Sequence, residues 1–320
     1  MIEKIKAVMI GHAVGDALGV PVEFCSREEI AEDPVTDMRG YGSYPVPKGA
    51  WSDDTSMSLC ALDSLAGGRV DFDEIMENFV AWASRDEFTP TGEMFDIGGT
   101  CLAAIHNYLA VDGRPALACG LTDERSNGNG SLMRIHPFAL YAFAKNLTVG
   151  KSLDLIRDAS MITHAHPRTL YACGIYALVL LAILRGADKA EVLSEIENAA
   201  VLLDGIYPEE SEHFDWAFRG ALATKREEEI SGSGYVVNTL EAALWCLLST
   251  SSYRECVLKA VNLGDDTDTV AAVAGGIAGA MYGYDAIPKE WLATLLRREY
   301  IEEMCERAYG AWKEQSKYNV

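Results

Sequence analysis

Gly264-Asp-Asp-Thr-Asp-Thr-Val-Ala-Ala-Val-Ala-Gly-Gly-Ile-Ala-Gly279 decides how the rest of this sequence is read. The stretch opens on carboxylates and hydroxyls and runs into small apolar residues. A helix built from 268–283 has almost no side-chain bulk, so its neighbours can approach closely in a bundle. Its acidic N-terminus is then carried towards the interior, where a carboxylate without a counter-charge is costly. A second stretch has the same character. Trp51-Ser52-Asp53-Asp54-Thr55 ends a long loop and opens another helix.

Helical periodicity extends outward from these two points. In 71–85, Phe72, Ile75, Met76, Phe79, Val80 and Ala83 recur at the spacing of one helical face. Segments 2–18, 55–66, 100–110, 131–144, 151–162, 168–186, 189–200, 211–226, 238–250, 252–262, 268–283 and 289–316 read as further helices. Sustained alternation of the strand type is nearly absent, and Tyr44-Pro45-Val46-Pro47 carries too much proline for a central strand. The expected fold class is all-α. No shift in composition marks a boundary, so residues 1–320 are read as a single domain. The loops at 33–54, 84–99 and 121–130 are long for a compact domain, and such loops often carry function.

Composition removes several classes. The chain has 320 residues, 27 Lys and Arg against 48 Asp and Glu, and a formal net charge of −21. That balance argues against a protein that tracks a nucleic-acid backbone, which needs a basic face. It argues equally against docking on an anionic membrane. The apolar run Leu170–Leu184 falls short of the ~20 residues that span a bilayer. Eight cysteines occur with no C-x-x-C pair, which leaves a zinc ribbon or thioredoxin-like site unsupported. His12 and Asp16 interrupt the apolar part of the N-terminus, unlike a signal peptide. A reducing, cytoplasmic setting is expected, with the thiols as small core residues.

Taken alone, each acidic cluster also reads as a helix N-cap, since Asp, Ser and Thr are favoured there. One cap needs one side chain, however, and the two clusters together offer many more. Donor sets made only of oxygen suit hard cations such as Mg²⁺, Mn²⁺ or Ca²⁺ rather than zinc. Three other features stand out. Glu23 lies between Val22 and Phe24, just after the glycine and proline stops of the first helix. Asn127-Gly128-Asn129-Gly130-Ser131 is a glycine-rich turn of the kind that offers backbone N–H groups to phosphate, or it is a plain turn. His164 and His166 have a spacing that makes no helical metal pair, and His166 before Pro167 suits a cap.

In order, GDALGVPVEF (15–24), WSDDTSM (51–57), FDIGGT (95–100), NGNGSLMR (127–134), THAHP (163–167), SGYVVNTLEAALW (233–245) and GDDTDTVAAVAGGIAG (264–279) closely resemble the ADP-ribosylglycohydrolase family. The resemblance implies a compact orthogonal multi-helix bundle with a binuclear Mg²⁺ or Mn²⁺ site at its centre. The implied metal ligands are Ser52, Asp53, Asp54, Asp266, Asp268 and Thr269. Glu23 matches a mobile acid/base and Asp96 an assisting carboxylate. Asn127, Gly128, Asn129, Gly130 and Ser131 would hold the diphosphate, while His164 and Tyr235 would line the ribose and adenine ends. Three positions depart from the usual pattern: Ser52 where many members have Thr, Gly99 where Asn is usual, and Asp265 where Gly is commoner.

The implied activity is metal-dependent hydrolysis of the C1″ glycosidic bond of an ADP-ribosylated substrate, foremost ADP-ribosyl-arginine on protein, with release of ADP-ribose. The partner is then the ADP-ribose moiety of a modified protein or small molecule, and a monomer is expected. Serine-linked or small-molecule conjugates are the alternative substrates, and a non-catalytic ADP-ribose binder is the alternative class.

Overall fold

The computed structural model describes residues 1–315. Its α-helices, in chain order, are α1 (Ile2–Gly19), α2 (Arg27–Glu32), α3 (Asp53–Leu65), α4 (Phe72–Arg85), α5 (Gly99–Ala110), α6 (His136–Ala144) and α7 (Val149–Met161). They continue as α8 (Pro167–Arg185), α9 (Lys189–Asp204), α10 (Val236–Ser249), α11 (Tyr253–Val261), α12 (Thr267–Tyr282), α13 (Lys289–Thr294) and α14 (Arg298–Gln315). The fold is all-α, as expected. The described residues contain no strand, only two isolated bridges, Leu121 with His164 and Gly128 with Tyr235.

The centre of the molecule is the antiparallel contact of α1 with α12. It is made backbone to backbone. A Cβ at Gly11 would lie 2.5 Å from the Gly275 carbonyl oxygen, one at Gly15 2.0 Å from that of Ala271, and one at Gly19 2.3 Å from the Asp268 Cα. Glycine at every fourth position of α1 therefore forms a groove that accepts the small face of α12. The Tyr253 hydroxyl closes the seam by donating to the Gly11 carbonyl at 2.6 Å. Because the helices run antiparallel, the end of α1 meets the start of α12, and this places Asp16 and Glu23 beside Asp266 and Asp268.

One apolar cluster extends from Ile5 to Trp312 around this pair. α8 lies inside it, packed by α6, α7, α9, α10 and α12. Residues 2–22 and 167–185 are long and apolar enough to cross a membrane, yet 94% and 89% of their most apolar windows are buried within the fold. The longer helical count for α8, compared with the fifteen-residue run, comes from its flanking Pro167, Arg168, Thr169 and Arg185.

Three helix expectations change. The 131–144 helix begins only at His136, with Pro137 in its first turn, and residues 131–135 form tight turns. The 211–226 segment is not an α-helix. It is a pair of 3-10 stretches, Pro208–Ala217 and Ala221–Thr224, separated where Arg219 and Gly220 turn left-handed at φ 57° and 67°. The 289–316 helix is broken between Thr294 and Arg298. There Leu296 donates its N–H to Gly49 and accepts from the Trp51 indole, both at 3.0 Å, and Arg297 has φ 51°. In addition, Arg27–Glu32, a stretch for which no helix is expected, forms the short α2, held by a Ser26/Glu29 capping box.

The seam yields a paired prediction. Gly15→Ala should destabilise the protein by about 1–3 kcal/mol, the usual cost of overpacking. Gly310→Ala on α14, where a Cβ meets nothing within 4 Å, should instead stabilise by about 0.5–1 kcal/mol. Urea midpoints of the two variants would check this, and similar shifts for both would remove the seam from its central place.

Candidate active site

The N-termini of α3 and α12 meet over the end of α1. Asp54 joins them, because its Oδ2 accepts from Ser52 Oγ at 3.1 Å and from Thr269 Oγ1 at 3.2 Å. Asp16 caps α3 from outside that helix. Its carboxylate accepts from Ser52 N at 2.8 and 3.1 Å, from Thr55 N at 3.1 Å and from Thr55 Oγ1 at 2.6 Å. Ser52 caps its own helix only through a 3.4 Å bond from Asp54 N, which is long for such a contact. At α12, Asp266 makes no side-chain cap, while Thr267 Oγ1 donates to the Gly19 carbonyl at 2.8 Å. Capping thus accounts for Asp16 and Ser52 and leaves Asp53, Asp54, Asp266 and Asp268 for another task.

Two triads of carboxylate oxygens lie within 4.8 Å of one another: Asp16, Asp54 and Asp268, and Glu23, Asp96 and Asp268. Asp268 belongs to both. Glu23 and Asp96 of these carboxylates line a cavity of about 330 Å³, together with Phe24, Asp53, Ile97, Gly98, Gly99, Thr100, Cys101, Gly128, Asn129, Gly130, Met133, His164, Asp266 and Thr269. No Lys or Arg is among the lining residues. Asn129 Nδ2 donates to Asp266 Oδ2 at 2.9 Å and ties the 127–131 turn to the acidic cluster. A Cβ at Gly98 or Gly99 would meet nothing within 4 Å.

Burial, reinforced by neighbouring carboxylates, pushes Asp53, Asp54 and Asp268 well above the ordinary aspartate range. Burial, then Asp96 and Asp266, push Glu23 up to about 8. Burial raises Asp16 to about 6 against the opposing hydrogen bonds from Thr55 and Ser52. The Tyr44 phenol faces both Glu23 and Asp96 and has one proton to share between them. Asp54 Oδ1, Asp268 Oδ2 and Glu23 Oε2 are buried without a hydrogen-bond partner among the described residues. Crowded carboxylates with unpartnered oxygens, in an all-oxygen donor set, are suited to hard divalent cations. The acidic residues could therefore bind metal.

The residues picked out in the sequence divide into three groups. Glu23, Asp53, Asp96, Gly128, Asn129, Gly130, His164, Asp266 and Thr269 line the cavity. Ser52, Asp54 and Asp268 are buried and lie outside that lining. Asn127, Ser131 and Tyr235 do not line it. Asn127 Oδ1 accepts from Thr169 Oγ1 at 2.9 Å, and its Nδ2 donates to the Glu124 carbonyl at 3.0 Å. The Ser131 hydroxyl pairs with that of Ser160 at 2.8 Å. Tyr235 is held against Arg168, and the backbone around it pairs with the turn through Val236 N to Asn127 O and Asn129 N to Gly234 O, both 3.0 Å. Asp265 is exposed at φ 63°. Its backbone exchanges hydrogen bonds with Phe24 N at 2.7 Å and Cys25 O at 2.8 Å, which ties the Glu23 segment to the start of α12.

Sequence reasoning did not give a role to Asp16, Thr55 or Tyr44. The signal for Asp16 was present, since it interrupts an otherwise apolar helix. Tyr44 sits in the proline-rich 33–54 loop and had no such signal.

The profile of the ADP-ribosylglycohydrolase family matches residues 1–317. The ADP-ribosylarginine hydrolase Tri1 of Serratia proteamaculans is 33% identical over 313 residues, covering 96% of this chain and 79% of that protein. The ADP-ribosyl-[dinitrogen reductase] glycohydrolase of Rhodospirillum rubrum is 30% identical over 299 residues, covering 92% and 90%. A solved structure titled an ADP-ribosylglycohydrolase-related protein complex superposes with a TM-score of 0.79 at 33% identity, covering 97% of this chain and 98% of that one. With acidic clusters from α3 and α12 converging on one cavity and a match along nearly its whole length, this chain belongs to the ADP-ribosylglycohydrolase family.

Proposed function

We propose that this protein is a metal-dependent hydrolase that cleaves the C1″ glycosidic bond between ADP-ribose and an arginine side chain of a modified protein, and that residues 1–320 act as one domain in the cytoplasm. The observation that carries the reading is the convergence of Asp53, Asp54, Asp266 and Asp268 on one cavity, next to Glu23, Asp96 and the Gly128–Gly130 turn. The arginine linkage is supported by the name of the Serratia relative.

Two divalent cations, Mg²⁺ or Mn²⁺, would be held by Ser52, Asp53, Asp54, Asp266, Asp268 and Thr269, and when bound would supply Lewis-acid polarisation of sugar hydroxyls and of water. The remaining work belongs to the chain. The Gly128–Gly130 turn has no side chain at its two glycines, so its backbone can approach a diphosphate closely. Phe24 and Met133 add apolar surface to the cavity wall. Glu23 Oε2 carries no hydrogen bond; ionised beside bound cations, its carboxylate would take a proton from the attacking water. Hydrolysis forms a C1″–OH bond, breaks the C1″–N bond and delivers that proton to the leaving guanidine. Asp96 and Tyr44 face Glu23 and orient it.

Incubation with ADP-ribosyl-arginine and ADP-ribosyl-serine peptides side by side tests the reading. Free ADP-ribose should appear from the arginine peptide with Mg²⁺ or Mn²⁺, disappear with chelator, and return on adding the cation. Cleavage of only the serine peptide would move the linkage, and binding without turnover would make the protein a receptor.

Glu23→Gln keeps the shape of the side chain and removes its proton chemistry. Turnover should fall by roughly 10²–10⁴-fold, with ADP-ribose still bound by calorimetry. Near-normal turnover would pass the role to Asp96.

Stability without cations should depend on pH in a way set by the same carboxylates. His12, His136 and His164 are held neutral by burial, so their contribution is complete once the pH exceeds the ordinary histidine value of 6.5. Above it the folded state still binds more protons than the unfolded one, because Glu23 is raised to about 8 and Asp53, Asp54 and Asp268 well above their ordinary value. In chelator, stability should therefore fall as pH rises from 6.5 to about 8. Saturating Mg²⁺ should raise the melting temperature and flatten this slope. Asp268→Asn should reduce the slope in chelator and abolish the Mg²⁺ effect. A melting temperature indifferent to both pH and Mg²⁺ would contradict the metal reading.

A further inference from the structure

Arg134 is fully buried and has no carboxylate partner. Its guanidinium stacks over the Phe79 ring at 5.0 Å, donates from Nη1 to the Ala159 carbonyl at 3.1 Å, and donates from Nη2 to Thr163 Oγ1 at 2.7 Å. Thr163 Oγ1 lies 2.9 Å from His164 Nδ1. On its other side the His164 ring faces the glycine turn, where a Cβ at Gly130 would lie 2.9 Å from Cε1 and 3.4 Å from Nε2. A buried cation, a hydroxyl and an imidazole thus form a line that ends at the cavity wall.

The direction of the hydrogen bonds along this line follows from what each group can do. A guanidinium only donates, so Thr163 Oγ1 must accept from it. The hydroxyl has one proton left to give. Its two candidate acceptors are His164 Nδ1 and the Cys101 sulfur. Sulfur is the weaker acceptor, and the Cys101 thiol turns its own proton to the Gly130 carbonyl. The proton therefore goes to Nδ1. A neutral imidazole whose Nδ1 accepts carries its proton on Nε2. The ring is neutral, because burial and the neighbouring Arg134 push its pKa down to about 3.

We infer that Arg134 and Thr163 form a relay that fixes His164 as the Nε2–H tautomer, so that it presents a neutral N–H donor to a phosphoryl oxygen seated over the Gly128–Gly130 turn. The identity of that oxygen rests on the function proposed above. The opposite tautomer would aim a lone pair at the anion and repel it. Arg134 and Thr163 are positioning residues, since neither lines the cavity, and the relay gives a strongly acidic pocket a donor whose state does not change with pH near neutrality.

Long-range ¹H–¹⁵N spectra of the histidine rings in the full-length protein test this directly, with the His164 signal assigned by its loss in His164→Gln. The wild type without ligand should give a pyridine-like Nδ1 and a pyrrole-like Nε2. Thr163→Val should mix the tautomers and weaken ADP-ribose binding in proportion to the Nε2–H fraction that remains, about twofold for an even mixture. Thr163→Ser should restore both. A wild-type Nδ1–H signal, or a Thr163→Val protein with unchanged spectrum and affinity, would overturn the relay. If Thr163→Val does not fold, the wild-type spectrum decides the tautomer by itself. Absence of ADP-ribose binding in the wild type would remove the functional reading and the phosphoryl contact with it, while the relay would still stand or fall on the spectrum.

Discussion

The contact of α1 with α12 sets the rest of the structure. Two helices approach this closely only where side chains are missing, and Gly11, Gly15 and Gly19 provide that on one side, with Gly275 and Gly279 on the other. The antiparallel sense puts the acidic start of α12 against the end of α1. Asp16 then reaches across to hold Ser52 and Thr55, and α3 is fixed with its first carboxylates pointing into the same volume. Helix packing, not loop geometry, thus brings four of the acidic residues together. The loops add Glu23, Tyr44, Asp96 and the glycine turn around that rigid base.

Such an arrangement works against folding electrostatically. Carboxylates near one another in a medium of low dielectric raise each other's proton affinity, and here each of the innermost three is raised chiefly by burial and further by the others. A cation bound among them would relieve this repulsion and so would stabilise the fold. The buried Arg134 beside His164 donates to the Ala159 carbonyl and to Thr163 and to no carboxylate among the described residues. It does not neutralise the cluster.

Much of this could be read from the residues. The two acidic clusters declare themselves because they exceed what helix capping needs, and 268–283 declares itself as a close-packing helix by its lack of bulk. What could not be read depends on partners distant in sequence. Asp16 acts on residues 36 and 39 positions later; its interruption of an apolar helix marks it out, but nothing local says which residues it holds. The break between α13 and α14 exists because Gly49 and Trp51 bind Leu296; the local periodicity continues straight through it. Asn127 and Ser131 belong to the glycine-rich turn by sequence, yet their side chains satisfy Thr169, Glu124 and Ser160. The turn meets the cavity through Gly128, Asn129 and Gly130, and its ends serve as anchors.

The glycines of this protein have opposite evolutionary prospects. Those along the α1–α12 seam touch backbone, and any added carbon there displaces a helix. Gly98 and Gly99 border the same cavity but face open space, so side chains can be added there without moving the main chain. The fold therefore holds the acidic centre fixed through its helix seam, while side chains added at Gly98 or Gly99 would reshape the cavity wall without displacing a neighbour.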